Sequence, residues 1–103
     1  MINKYLTKEI RHKIYEVAYK MYIEKDGAGS EFMCMCISYG MHVVLSDKAK
    51  IPFANMSCNE KINYFPEIME YKPVGDPYIW FPTDSKGRAK RISIFKKALK
   101  NTE

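Results

Sequence analysis

Three cysteines and two histidines are this chain's soft metal ligands and nucleophiles, and their spacing decides what they can do. Cys34 and Cys36 stand two apart, which on a helix sends them to different faces, and no paired C-x-x-C accompanies them. A zinc site needs ligands converging on one point. Cys34, Cys36, His42, Cys58 and His12 offer no such pattern, so no metal is expected. On one helix, His42 is too far round from either cysteine to activate its thiol. The thiols read as small buried hydrophobes. Glu67 and Glu70 share a helix face, but a solvated edge or a pairing with the basic last helix explains them better than acid–base work. Gly27-Ala28-Gly29-Ser30 precedes a helix without the lysine or the spacing of a phosphate loop, and its amides could hold only a single anion. With no acid, base and nucleophile set, the chain reads as a non-enzyme that needs no cofactor.

A different chemistry is suggested by two aromatic-proline blocks, Tyr64-Phe65-Pro66-Glu67 and Trp80-Phe81-Pro82, the second followed by Ser85 to Thr102 with seven basic residues and no acidic one. The net charge is +5, so the remainder of the chain carries −2 and the basicity is local. A cationic face of this kind concentrates phosphates, nucleic acid or acidic protein surfaces. Flat rings stack on bases while guanidinium groups fork onto phosphates. Tyr78, Trp80, Phe81, Arg88, Lys90 and Arg91 are therefore the candidate ligand-binding residues, the last three neutralising phosphate while Trp80 or Tyr78 stacks. A plainer reading competes with it. There Phe65, Trp80 and Phe81 plug the core, and Arg88 binds backbone carbonyls or Glu67 to hold the last helix down.

The elements that must position these residues are helical. In Lys8 to Lys25, Ile10, Ile14, Val17, Ala18 and Met21 form one stripe behind a Thr7 cap, with Lys8, Arg11, His12, Lys13, Glu16 and Lys20 outside. Asp26 to Ser30 breaks that helix. Phe32 to Leu45 is apolar nearly all round and predicts the buried centre of a bundle. Ser46 to Met56 reads as a loop in which Ile51 and Phe53 pack back. Ser57 and Glu60 have capping-box spacing, and Pro66 divides the following helix in two, taking a first-turn position in its second half. Three prolines make Pro73 to Pro82 irregular and extended. Thr83-Asp84-Ser85 caps the last helix, Lys86 to Lys100, with Ala89, Ile92, Phe95 and Leu99 as its stripe. The fold class is all-α: a small single-domain bundle of four to five helices with a proline- and aromatic-rich irregular segment before the last one.

At 103 residues and 47% hydrophobic content the chain is one helical domain over 1–103, with 1–6 and 101–103 frayed. An odd cysteine count disfavours a disulfide framework and fits a reducing, cytoplasmic compartment. Neither a signal-peptide run nor a membrane-spanning run is present in the sequence. So small a domain leaves much surface exposed, which makes a homo-oligomer a live option.

Phe32-x-Cys34, Phe65-Pro66-Glu67, Lys72-Pro73, Trp80-Phe81-Pro82 and the arginine-bearing helix after them resemble small accessory proteins encoded by tailed phages and prophages, notably of Bacteroidetes-type hosts. The resemblance spans roughly Phe32 to Leu99, and it implies that Phe65, Pro66, Trp80, Pro82 and Arg88 are signature positions. It implies a non-catalytic binding protein acting in the host cytoplasm, such as a counter-defence protein that sequesters an anionic nucleotide signal. Two alternatives stand beside it. One is a protein–protein inhibitor or adaptor of a host defence protein, using a methionine- and tyrosine-rich surface that includes Tyr15, Tyr19 and Tyr22. The other is nucleic-acid binding by the basic helix.

Overall fold

Local capping chemistry fixes where the helices begin. A computed structural model describes residues 4–25, 30–71 and 85–103. Helix α1 (Lys8–Lys25) starts where the Thr7 hydroxyl accepts the Ile10 amide at 3.2 Å, satisfying one of the donors that a helix start leaves over. Helix α2 is Ser30–Val44. Next comes a short helix α3 (Asp47–Lys50), capped by Ser46, which runs into a 3₁₀ turn over Ile51–Phe53. Ser57 and Glu60 then form a complete capping box for α4 (Cys58–Lys61), as their spacing predicts. After a second 3₁₀ turn, Ile62–Tyr64, Pro66 occupies the first turn of α5 (Pro66–Met69). There its missing N–H costs nothing. The last helix, α6, is Ser85–Asn101. Among the described residues all regular structure is helical, so the all-α fold class holds.

Helices α1 and α2 pack as a hairpin, with α6 against α1 and α5, and α4 against α2. The hairpin closes on Gly40: a Cβ there would stand 2.8 Å from the Ile14 carbonyl oxygen and 3.0 Å from Ile14 Cγ2. Only glycine lets the two backbones approach so closely. Around this crossing Ile14, Ala18, Met33, Ile37, Ile62, Phe65, Ile68, Phe95 and Ala98 form the core.

Four expectations need correction. The buried stripe of α1 is Ile14, Tyr15, Ala18 and Tyr22, with Ile10, Val17 and Met21 at its margin and Arg11 turned partly inward. Tyr15 and Tyr22 are thus interior residues, not part of an exposed docking surface, because each phenol finds a polar partner on a distant element. The buried stripe of α6 is Gly87, Arg91, Ile94, Phe95 and Ala98, while Ala89 is exposed. The segment 46–56 is helix and 3₁₀ turn, with Phe53 buried and Ile51 70% exposed. Finally, α2 is central but not sealed: α1 and α4 cover two of its sides and leave Met35, Tyr39, His42 and Val43 open.

Two tethers hold Leu6 and Thr102 against α1. Arg11 donates from Nε and Nη2 to the two Glu67 oxygens, each at 2.9 Å, and from Nη1 to the Leu6 carbonyl at 2.7 Å. Tyr15 adds its hydroxyl to Glu67 Oε1 at 2.8 Å. At the other end, the Thr102 hydroxyl donates to the Ala98 carbonyl at 2.7 Å. His12 Nδ1 lies 2.8 Å from the Thr102 hydroxyl oxygen.

Candidate functional site

Tyr22 gathers the two arginines that the sequence marks as ligand-binding. Arg91 is fully buried and its Nε donates to the Tyr22 hydroxyl at 2.6 Å. The Arg88 guanidinium carbon lies 5.8 Å from the centre of the same ring, within cation–π range. Phe32 and Phe95 pack on Tyr22 with ring centres 5.7 and 5.4 Å away. These contacts use the arginines to attach α6 to α1. Glu67, one of the partners that the plainer reading offers Arg88, is held instead by Arg11. Lys90, by contrast, is exposed. Tyr78, Trp80 and Phe81 lie outside the described residues, as do the rest of the Pro73 to Pro82 segment, Thr83, Asp84 and the Gly27-Ala28-Gly29 run.

The Arg11–Glu67–Tyr15 cluster has the residue types of a catalytic site but the environment of a structural one. Burial opposes the charge of Glu67. The hydrogen bonds from Arg11 and Tyr15 outweigh it and hold the carboxyl below its ordinary value. The hydrogen bond to Glu67 is also what raises Arg11, and burial, then Glu67, raises Tyr15. Every group is pushed toward the protonation state that it already has at neutral pH, which suits a fixed tether and not proton transfer. Cys36 behaves similarly: burial pushes its thiol up to about 12, which leaves almost no thiolate.

The surface feature that requires explanation is the open edge of α2. Met35, Tyr39 and Val43 recur at four-residue intervals and are 46%, 48% and 52% exposed, forming a continuous ridge. A furrow runs along each side of it. The larger, about 730 Å³, lies toward α3 and α4, with Met35, Tyr39, Ile51, Phe53 and Cys58 among its lining residues. The smaller, about 520 Å³, lies toward α1, where Val17 and Met21 face Tyr39 and Val43 and Lys20 and Glu24 form its outer wall. From Phe32 to Ser46 the sequence has no Asp, Glu, Lys or Arg, whereas the outer faces of α1 and α6 are crowded with charge. The Lys61 ammonium at the edge of the larger furrow is hydrogen-bonded to the Ser38 hydroxyl at 3.0 Å. The all-round apolarity of α2 predicts a buried helix. The same absence of charge could have marked an interface, since a central helix in so small a bundle has too few neighbours to be covered on every side.

Compared with protein-family models, curated proteins and solved structures, the chain shows no match.

Proposed function

We propose that this protein is a non-catalytic interaction protein that works by covering another polypeptide with the open edge of α2. The observation that carries the reading is the exposed, uncharged Met35–Tyr39–Val43 ridge between two furrows, the larger of them lined mainly by apolar side chains. Contiguous apolar surface of this kind is costly to leave in water and marks interaction sites. Methionines at its margins can repack to suit a partner. The setting implied by the resemblance, a phage-type accessory protein acting on a host protein, is in keeping with an activity that consists of binding.

Nucleotide sequestration is the weaker reading, because Arg91 and Arg88 are engaged with Tyr22. Lys86, Lys96 and Lys100 are exposed on α6 and raise the local concentration of anions. Photo-crosslinking in cells separates the two. With benzoylphenylalanine at position 39, adducts with a polypeptide are expected, and the same probe at position 90 should give few. Adducts only from position 90, or a melting-temperature rise with a nucleotide that Arg88→Ala abolishes, would overturn the docking reading.

A further inference from the structure

Resting on the docking reading of the α2 edge, we infer that the free protein closes this edge on a second copy of itself, in an isologous dimer with its twofold axis near Tyr39.

Three observations select this occupant. First, Met35, Tyr39 and Val43 form a ridge of the four-residue class, the kind that interdigitates with an identical ridge in the commonest mode of helix packing. Second, the ridge stands between two furrows, and Tyr39 lines both. A copy turned by a twofold axis would lay its ridge in one furrow while its own furrow receives the first ridge, the self-complementarity that an isologous contact demands. Tyr39 would then meet the partner's Tyr39, and Met35 would approach the partner's Val43. Third, the electrostatics permit it here and oppose it elsewhere. Two copies at +5 each repel one another. Contact through α6 would set Lys86, Lys97 and Lys100 against their equivalents, whereas the α2 ridge is itself uncharged and the charges along its furrows, Lys20 with Glu24 and Asp47 with Lys50 and Lys61, are of both signs. A heterologous target would compete with the second copy for this edge, so self-association would regulate docking.

The experiment is sedimentation equilibrium of the full chain from about 1 to several hundred micromolar, the range in which small, imperfectly buried interfaces associate. A dimer is expected, with Tyr39→Glu raising its dissociation constant about 100-fold, as loss of a central aromatic anchor does. Tyr39→Lys should also be monomeric, and mixing the Glu and Lys variants should restore a heterodimer, because position 39 faces itself. Circular dichroism of both variants should match the parent, since Tyr39 is exposed. A monomer throughout the range, a dimer indifferent to both substitutions, or variants that fail to pair when mixed would overturn the inference. If the crosslinker at position 39 then still captured a different protein, the docking reading would survive. If it captured nothing, both would fall.

Discussion

Arg11 and Glu67, 56 residues apart in the chain, meet through two hydrogen bonds of 2.9 Å that fix α1 to the start of α5. The pair is largely shielded from solvent, with the two side chains 18% and 13% exposed. Paired guanidinium–carboxylate geometry is the strongest form of this contact. Removing one partner leaves the other charged and uncompensated. Glu67→Gln should therefore lower unfolding free energy by about 2–3 kcal/mol, read as a lower urea midpoint with an unchanged slope.

The same pair sets a pH dependence. Glu67 is held below its ordinary 4.5 in the folded protein, so the unfolded chain binds the proton first. Its stabilising contribution is fully present above the unfolded value and is lost as pH falls through the lower, folded one. Urea midpoints measured from pH 6 downward should fall once pH drops below about 4.5, and should fall less steeply in Glu67→Gln.

Gly40→Ala tests the α1–α2 crossing. Helix propensity alone favours alanine by about 1 kcal/mol. The new Cβ, however, would press on the Ile14 carbonyl oxygen, a backbone atom that cannot swing aside. Net destabilisation of about 1–2 kcal/mol is expected, and thermal melts should show the variant below the parent. A higher melting temperature would mean that the two helices separate at little cost.

Tyr22→Phe removes the hydroxyl that accepts from Arg91 while keeping the ring on Phe32 and Phe95. Loss of that acceptor in the interior should cost about 1–3 kcal/mol. Lys96→Ala, on the exposed face of the same helix as Arg91, should change stability by no more than about 0.5 kcal/mol. Chemical denaturation of the two variants side by side checks the contrast.

Cysteine labelling probes burial directly. Cys34 and Cys36 are buried and Cys58 is half-buried, and the Cys36 thiol is pushed up to about 12. Iodoacetamide at neutral pH should modify Cys58 first in the native protein and reach Cys34 and Cys36 only in denaturant. Peptide mass mapping would show the order.

These contacts explain which parts of the molecule were legible in the sequence. Thr7, Ser57 with Glu60, and Pro66 act on their own few residues, so their spacing sufficed to locate helix starts. The apolar pattern misplaces the stripes of α1 and α6 by a few positions because Arg11, Tyr15, Tyr22 and Arg91 count as outward-facing in any polarity pattern. Each is nonetheless carried inside by a partner on another element: Glu67 for the first two, and one another for the last two. No local signal announces such pairs. Ile51 and Phe53, two apart, both have the apolarity to pack inward, but the 3₁₀ turn points only Phe53 there. Likewise the apolarity of α2 disclosed its central place but not the side left uncovered, which depends on how many neighbours the finished bundle can supply.

The separation between Tyr22 and Arg91, 69 positions along the chain, also bears on the order of assembly. The α1–α2 hairpin joins neighbours and needs little loop closure, so it can nucleate early, with Gly40 seated on Ile14 before the C-terminal half is in place. Docking of α6 must bridge most of the polypeptide and comes late. Substitutions at Gly40 should accordingly slow refolding, whereas those at Arg91 should chiefly hasten unfolding.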